Sequence, residues 1–457
     1  MELKPRDVQT QVKHMILDKY LRAWGGIILN GLKGPAARMQ SRGRRLGHHF
    51  IYVDCFSYVG RYSGNTEDVF MERAAGPVPG SPLIGIRALD SLIGMAYSYG
   101  IDLRVNSILI EEDPRLFQGL LDTLSDEGLA HRVSQTIDFS GLGMGEIAVV
   151  NSDCTQVADR LLDLTRQRFA KAFYLLDPYG SSGIPYDFVH SIVQSEGHDV
   201  MINFPYYDLH KKTGSIHTPS HQAHIDHWTK AFGTAEWIKI GQEIEQLRTS
   251  RDALLDALGL TISEAEGDPI FAESQDGLSL TDKQLTALIE GKLVDLYRTV
   301  LVEMDAKLTV KTIRLSFPDK ERPMFYLFLT THDPTGALRL NEILSDAKLW
   351  EYELRYKRDL AKKSRPPQDQ LSFPFLKTMQ PPIPEPETPD RPSIEQCAQD
   401  IMRVFSGRTA TRRDVYRELA DGLYFPTEVD KAIRHLKKET QAIYEGRLSH
   451  DVLIEFR

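Results

Sequence analysis

The chain has 457 residues, of which 41% are hydrophobic and 26% are charged, and its formal net charge is −9. This length predicts two or three domains, and the composition is that of an ordinary globular protein, not of a disordered or fibrous one. No apolar run approaches the roughly 18 residues that suggest a membrane span, so no membrane partner is expected. The three cysteines are too few for a disulfide framework or a zinc site, which predicts a cytoplasmic protein without a bound metal.

Positive charge is concentrated near the beginning of the chain. Residues 1–50 contain ten Lys or Arg and three acids, whereas residues 241–300 contain five and twelve. A local basic arm can bind phosphates whatever the total charge is. A solvated loop is the alternative explanation for this composition. The acid-free stretch 31–50 contains Arg38 and the four residues that we expect to bind a nucleic-acid backbone, Lys33, Arg42, Arg44 and Arg45.

Apolar spacing predicts alternating helices and strands along the first half of the chain. Residues 8–29 have the periodicity of an amphipathic helix, and the basic loop follows them. Such alternation indicates a parallel, doubly wound sheet with helices on both faces. The strands are predicted at 49–56, 105–111, 147–153, 173–177 and 198–204, and the helices between them at 82–99, 114–129, 157–169 and 188–193.

Four successive strands end in an acid, and this repetition is the strongest pattern in the chain. In an open α/β sheet, ligands bind just beyond the carboxyl ends of the strands, so the four acids are expected at one site. The last acid opens the turn Asp177-Pro178-Tyr179-Gly180, whose acid and aromatic would face the ligand. The alternative is that Asp177 only caps the following helix. The acids are Asp54, Glu111, Asp153 and Asp177.

The order of these acids fits a nucleotide-derived cofactor. Gly60 and Gly64 in the first turn would let the backbone approach the ligand, where a side chain would block it. Glu111 would bind the two hydroxyls of a ribose, and Asp153 would lie near the adenine amine. Asp177 would then face the reacting group of a second substrate. The sequence lacks the P-loop motif of NTPases and the Gly-x-Gly-x-x-Gly fingerprint of dehydrogenases.

The pattern changes in the second half of the chain. Residues 237–258 and 278–304 are predicted to be long helices that form an inserted cap. Two strands at 308–317 and 323–331 are expected to complete the same sheet, because an isolated hairpin is only marginally stable.

The last part of the chain is predicted to be a separate small domain. Residues 364–393 contain nine of the 24 prolines, which predicts an extended linker. Three helical segments and two short strand-like runs then describe a winged helix at 394–457. Because this segment has equal numbers of basic and acidic residues, a packing or dimerising module explains it as well as DNA binding does.

A series of short motifs runs in order through residues 8–350. They are Lys13-His14-x-Ile16-Leu17-x-x-Tyr20-Leu21-x-x-Trp24, Tyr52-Val53-Asp54-Cys55-Phe56, Gly80-Ser81-Pro82-Leu83, Leu109-Ile110-Glu111-Glu112-Asp113, Leu176-Asp177-Pro178-Tyr179-Gly180, Met201-Ile202-Asn203-Phe204 and Phe232-Gly233. Taken together, the motifs resemble the three-Cys-motif partner (TcmP) family, whose members are similar to S-adenosylmethionine-dependent methyltransferases. The cysteines in the family's name belong to a partner protein, so the three cysteines here have no such meaning.

The resemblance implies a doubly wound, Rossmann-like methyltransferase sheet with S-adenosylmethionine as the cofactor. In related amino-methyltransferases, an Asp-Pro-Pro-aromatic loop accepts hydrogen bonds from an exocyclic amine while the aromatic stacks on the base. The implied substrate is therefore an amino group of a nucleic-acid base, in RNA or DNA. The implied catalytic residues are Asp177, Pro178 and Tyr179, and the implied cofactor-binding residues are Asp54, Phe56, Gly60, Gly64, Glu111 and Asp153.

The chain departs from the family in its first turn, where Phe56-Ser57-Tyr58-Val59-Gly60 replaces the usual Phe-Ala-Gly-Pro-Gly. Tyr58 occupies the position where a glycine would let the backbone approach the cofactor. The catalytic loop has one proline instead of two, and residues 65–79 look like an inserted flap. The alternative to an enzyme is a catalytically degenerate scaffold that binds nucleic acid or a partner protein.

These features predict four segments in the chain. They are an N-terminal helix and basic loop at 1–48, a Rossmann-like methyltransferase domain at 49–360 with a helical insertion at about 237–305, a proline-rich linker at 361–393, and a winged-helix domain at 394–457.

Overall fold

The computed structural model describes residues 3–64, 76–178, 183–213, 222–249, 272–274, 277–279, 282–317, 322–363 and 391–457. Three predicted features lie wholly or mostly outside these residues: the aromatic Tyr179, the flap at 65–79 and the proline-rich linker. The centre of the fold is an eight-stranded, mostly parallel sheet, which confirms the predicted α/β class.

The sheet has the strand order β11-β12-β8-β7-β1-β4-β6-β5, in which only β12 runs against its neighbours. The two strands predicted to complete the sheet therefore do so, as β11 and β12. The strands are β1 (Leu46–Asp54), β2 (Arg61–Tyr62), β3 (Val78–Pro79), β4 (Ile101–Ile110), β5 (Val133–Ser134), β6 (Ile147–Val150), β7 (Ala170–Leu176), β8 (His198–Phe204), β9 (Ala272–Ser274), β10 (Gly277–Ser279), β11 (Thr309–Ser316), β12 (Pro323–Thr331), β13 (Thr409–Thr411), β14 (Ala442–Ile443) and β15 (Leu453–Phe456).

Helices cover both faces of the sheet and bury a separate apolar core on each face. None of the described helices has the length and hydropathy that crossing a membrane would require. The helices are α1 (Val8–Gln40), α2 (Ser81–Ser98), α3 (Pro114–Asp126), α4 (Ala158–Thr165), α5 (Tyr186–Val193), α6 (Tyr206–Thr213), α7 (Gln222–Phe232), α8 (Glu236–Thr249), α9 (Asp282–Glu303), α10 (Pro334–Lys363), α11 (Ile394–Phe405), α12 (Arg412–Glu418) and α13 (Pro426–Lys438).

The basic stretch is largely helical, which corrects the prediction of a loop after residue 29. Helix α1 continues to Gln40 through Pro35, and strand β1 begins at Leu46. Gly34 and Pro35 are poor helix formers, but Leu29 and Ala36 are fully buried in the core that α1 shares with α2. Tertiary packing has therefore overridden the local preference of the sequence.

Helices α8 and α9 are part of the layer on the sheet, which corrects the prediction of an inserted cap. In α9, the ring of Tyr297 stacks on Phe204 of β8 with 4.6 Å between ring centroids. In α8, Trp237 is buried against Phe232 of α7. The described part of α9 is thus packed on the sheet and the beginning of α8 on α7, because amphipathic helices gain most by covering an apolar face.

Residues 394–457 form three helices and a three-stranded antiparallel sheet in the order β13-β15-β14. This segment packs against the main body through Leu338 of α10, which is buried in the apolar core of the segment, and through polar contacts. The side-chain amide of Asn341 donates to the carbonyl oxygens of Gly422 (2.9 Å) and Tyr424 (2.8 Å), and Lys311 Nζ donates to Gly422 (2.9 Å). Burial lowers the pKa of Lys311 to about 8, because the ammonium group is removed from water at this contact.

Gly85 in α2 lets the helix pack directly on the buried ring of Tyr52. A Cβ atom at residue 85 would lie 2.1 Å from Cε1 of this ring. We expect Gly85→Ala to lower the free energy of unfolding by about 1–3 kcal/mol, the usual cost of overpacking a core. A Cβ atom at Gly94 in the same helix would meet no atom within 4 Å, so Gly94→Ala should raise the free energy of unfolding by up to about 1 kcal/mol. Urea unfolding of the two variants measures both effects, and equal stability of the two would contradict this packing.

Candidate active site at the carboxyl edge of the sheet

The parallel strands bring the predicted acids to one edge of the sheet. Asp54 ends β1, which lies between β4 and β7 and pairs with both. Glu111 directly follows β4, and Asp177 directly follows β7. Because adjacent strands are about 4.8 Å apart, these three residues lie side by side on the edge where α/β sheets bind ligands.

Asp54 stabilises the first turn, which follows β1, through a hydrogen bond to its backbone. Its carboxyl group is fully buried and accepts hydrogen bonds from the Tyr52 hydroxyl (3.0 Å) and the Phe56 N–H (3.3 Å). Burial raises the pKa of Asp54 to about 7, since the charged form is removed from water. Asp54 therefore fixes the backbone of the turn, while half-buried Phe56 packs on the adjacent core.

Glu111 holds the same turn from the neighbouring strand. The N–H of Tyr58 donates to Oε2 of Glu111 (2.8 Å), and the N–H of Asp113 donates to Oε1 (3.0 Å). Burial raises the pKa of Glu111 above its usual range. Each carboxylate oxygen accepts one backbone hydrogen bond and has a second lone pair for a ligand hydroxyl.

Gly60 has a backbone conformation that favours glycine, and its predicted approach to the cofactor stays a prediction. Its φ is +74°, and a Cβ atom there would lie 2.9 Å from Leu120 Cδ1. Gly80, which precedes α2, donates its N–H to the Gly60 carbonyl oxygen at 2.8 Å. A Cβ atom at Gly80 would lie 2.9 Å from backbone atoms of Gly60, so the two loops can approach this closely only with a glycine at residue 80. Gly64 follows the short strand β2 at the end of this turn.

Tyr58 has a φ of +52°, the left-handed conformation that favours glycine. Its ring stacks on Tyr62 at 6.2 Å, and Lys4 Nζ lies 5.7 Å from it. We expect the free energy of unfolding of Tyr58→Gly to be about 1–2 kcal/mol higher than that of Tyr58→Val. Both variants lose the ring, and only valine keeps the backbone strain. Thermal or urea unfolding measures the difference. A valine variant as stable as the glycine variant would refute strain at this turn.

Asp153 has a local role in the structure. It precedes a short helical turn, and its Oδ1 accepts hydrogen bonds from the N–H and the hydroxyl of Thr155, both at 2.6 Å. Strand β6 ends at Val150, so Asp153 lies three residues beyond the strand and not at its end as predicted. It remains on the same edge as Glu111, where its predicted contact with adenine stays a prediction.

Asp177 is held by two residues whose roles the sequence did not show. Lys13 Nζ of α1 donates to both carboxylate oxygens of Asp177, at 2.9 and 2.7 Å, and the Asn203 side-chain amide at the end of β8 donates to Oδ1 at 2.6 Å. The ion pair is partly buried, with 11% of Lys13 and 25% of Asp177 exposed. Pro178 is buried behind it. Asp177 is thus the centre of a polar cluster and not a helix cap.

The beginning of the chain forms one wall of the site. The Lys4 carbonyl oxygen accepts a hydrogen bond from the N–H of Ser63 (2.9 Å), which joins this segment to the first turn. At the start of α1 the contacts are with the other side of the sheet, since the side-chain amide of Gln9, the second residue of the helix, donates to the carbonyl oxygen of Ser316 at the end of β11. Residues 4–13 therefore cross the carboxyl edge from the first turn to the far strands.

The predicted backbone-binding residues lie at the opposite edge of the sheet. Lys33 is twenty residues beyond Lys13 on α1, a rise of about 30 Å along the helix. Arg44 and Arg45 directly precede β1, whose other end carries Asp54. Consequently the structure does not bring this set together with the acids.

No family model matches the sequence, and no curated protein matches it either. One solved structure that resembles the chain is the crystal structure of protein LPL1258 from Legionella pneumophila str. Philadelphia 1, described by the family model DUF519. It is 11% identical, with a TM-score of 0.35, and the match covers 76% of this chain and 93% of that one. A similarity this low carries no argument about function.

Proposed function

We propose that this protein is an S-adenosylmethionine-dependent methyltransferase of the TcmP family, acting on an exocyclic amine of a nucleic-acid base. The observation that supports it best is the polar cluster at the carboxyl edge, where Lys13 and Asn203 direct the carboxylate of Asp177. Glu111 and the first turn lie on the adjacent strands of the same edge. A cofactor site beside an oriented acceptor group is what methyl transfer to an amine needs.

The residues at the first turn fit this cofactor, which supplies an electrophilic methyl group when bound. Glu111 would accept hydrogen bonds from the ribose hydroxyls through its second lone pairs, in addition to the two backbone bonds. Gly60 and Gly80 keep the backbone close and free of side chains there. Asp54 fixes the turn, and Asp153 would lie toward the adenine.

Asp177 has room for one more donor. A carboxylate offers about four acceptor positions, and the three hydrogen bonds from Lys13 and Asn203 leave one for an amine N–H. Asn203 Oδ1 is buried and accepts no hydrogen bond within the described structure. A buried acceptor without a donor costs about 1–3 kcal/mol, so an amine that donated to it would bind favourably. Two acceptors would then orient the amine lone pair toward the methyl group.

The remaining parts of the chain are assigned by the same proposal. The sheet would be a Rossmann-like methyltransferase sheet, and residues 394–457, with three helices and a small antiparallel sheet, would be a winged helix. The basic residues at the opposite edge would contact the backbone of a longer nucleic acid. These basic residues form no salt bridge with a carboxylate that the structure describes. They are Lys33, Arg38, Arg42, Arg44 and Arg45.

The test is methyl transfer from labelled S-adenosylmethionine to single-stranded RNA and DNA. We expect label on an exocyclic amine of adenine or cytosine after digestion to nucleosides. A base in a duplex must first leave the stack, so single strands or loops should react faster than duplexes. Absence of label in both nucleic acids, with the protein folded, would reject the proposal.

The second candidate is a degenerate, non-catalytic scaffold with the same fold. It is favoured by Tyr58, which keeps a side chain where the backbone should approach the cofactor. It is also favoured by Lys13, whose ammonium group contacts both oxygens of Asp177. Such a protein would bind nucleic acid or a partner protein without binding the cofactor. A cofactor titration separates the two candidates.

A further inference from the structure

A second group of side chains lies on the carboxyl edge beside Asp177, toward β8, β12 and β11. We call Tyr207, Phe317 and Arg322 the aromatic wall. Tyr207 is the second residue of α6, just after β8. Phe317 follows β11, and Arg322 precedes β12. Because Asn203 is in β8, the wall begins on the strand adjacent to that of Asp177.

The wall is an ordered cluster. The rings of Tyr207 and Phe317 are in edge-to-face contact, with 4.8 Å between centroids and 79° between planes. The Arg322 guanidinium carbon lies 4.4 Å from the centroid of Tyr207. The Phe317 N–H donates to the carbonyl oxygen of Arg322 at 2.9 Å, which closes the strand connection that carries both residues.

The wall is continuous with the candidate active site through Lys13. The ammonium nitrogen of Lys13 contacts the carboxylate of Asp177 and also lies 5.2 Å from the ring centroid of Phe325 in β12. Lys13 therefore connects Asp177 with β12, the strand that Arg322 precedes. A ligand that extended from Asp177 along this edge would meet both Phe325 and the wall.

The exposure of these residues separates them from the core. Phe328 and Tyr206, on the same elements, are almost fully buried, whereas Tyr207 and Phe317 are only half-buried. Arg322 is exposed and forms no salt bridge with a described carboxylate. Half-exposed rings beside a guanidinium that pairs with no described carboxylate are a surface on which unpaired bases stack, at about 1–3 kcal/mol for each base.

We propose that the aromatic wall binds an unpaired base of the acceptor strand, next to the base whose amine reaches Asp177. This inference rests on the proposed function for the identity of the acceptor. The wall would make the protein prefer single strands or loops, since a stacked base cannot reach the rings. Arg322 would add contact with the ring face or with a backbone phosphate.

The experiment measures binding of a fluorescein-labelled ten-nucleotide single strand to the full chain by anisotropy. Replacing either ring, in Tyr207→Leu or Phe317→Leu, should weaken binding by about 5- to 100-fold. Tyr207→Phe keeps the ring and should bind within about 2-fold of the wild type. Phe169→Leu is the matched control, because Phe169 is an exposed ring directly before β7, at the opposite edge from Asp177 (46% exposed), and it should change binding less than about 2-fold.

Unchanged affinity of the folded leucine variants, or no binding by the wild type, would overturn the inference. Titration of S-adenosylmethionine into the same variants keeps the two proposals apart. If the cofactor binds and the leucine variants bind the strand normally, base binding by the aromatic wall is refuted and the proposed function stands. If the leucine variants no longer bind the strand and no form binds the cofactor, base binding by the wall is supported and methyl transfer is refuted. If only the variant with alanine at Arg42, Arg44 and Arg45 lost binding, the nucleic acid would bind at the opposite edge of the sheet, and the inference would be overturned.

Discussion

Replacing Asp177 with asparagine should lower the single-turnover rate of methyl transfer by at least about 100-fold, the lower end of the effect of a positioned acid or base. The carboxylate accepts three hydrogen bonds and has one position left for the amine. The asparagine side chain would present a neutral oxygen, and its NH₂ group would face the ammonium group of Lys13. Affinity for the cofactor and the nucleic acid should stay within about 3-fold, because in the proposed function the residue would orient the amine and would contribute little to ground-state binding.

Glu112→Gln is the matched control for this variant. Glu112 is an exposed acid on the same edge, next to Glu111 and away from the polar cluster. Its replacement removes one negative charge near the site and should leave the rate nearly unchanged. If Asp177→Asn reacted as fast as Glu112→Gln, the assignment of Asp177 as the acceptor of the amine hydrogen bond would be wrong.

The stability of the protein should contain a component that decreases as the pH rises from about 4 to 7. Burial raises the pKa of both Asp54 and Asp199 to about 7 in the folded protein, whereas an unfolded aspartate titrates near 4. The folded state therefore holds more protons than the unfolded state in this window. These contributions are fully present below the unfolded pKa and are lost as the pH passes through the folded pKa.

Asp199→Asn isolates one of the two contributions. Asp199 is buried and accepts a hydrogen bond from the Tyr20 hydroxyl at 2.6 Å, which an asparagine oxygen can also accept. The variant should gain stability relative to the wild type between pH 4 and 8, by on the order of 2–4 kcal/mol. Urea unfolding at three pH values measures this change.

The control for the pH series is Asp346→Asn, which removes an exposed carboxylate paired with Lys19. A surface pair of this kind contributes little, so its stability difference from the wild type should hardly depend on pH. Parallel stability curves for Asp199→Asn and the wild type would show that Asp199 is ionised in the folded protein at pH 5 to 6, and would refute the raised pKa.

The sheet and its acid-bearing edge could be predicted from the sequence for a simple reason. Parallel strands covered on both faces appear as uninterrupted apolar runs, and the acids mark the points where each chain segment leaves the core. Asp54, Glu111 and Asp177 therefore come to one edge once the strands are parallel. Where β1 begins and α1 ends could not be predicted, since buried Ala36 outweighs the helix-breaking signal of Pro35.

The partners of Asp177 were not predictable from local patterns. Lys13 is 164 residues away in sequence, and only the path of α1 across the carboxyl edge brings it to the carboxylate. The same holds for the aromatic wall, because Tyr207 and Phe317 come from different elements and meet only when β12 inserts between β11 and β8. The motif around Lys13 is visible in the sequence, but the contact of Lys13 with Asp177 depends on the tertiary structure.

The most direct test of the account is a calorimetric titration of the full chain with S-adenosylmethionine. The account predicts saturable binding that Glu111→Ala weakens by about 1.5–3 kcal/mol, the contribution of hydrogen bonds to a charged group. Tyr58→Gly should strengthen it, because the turn is then free of a side chain. If neither the wild type nor Tyr58→Gly binds the cofactor at millimolar concentration, the enzyme assignment is contradicted and the scaffold replaces it.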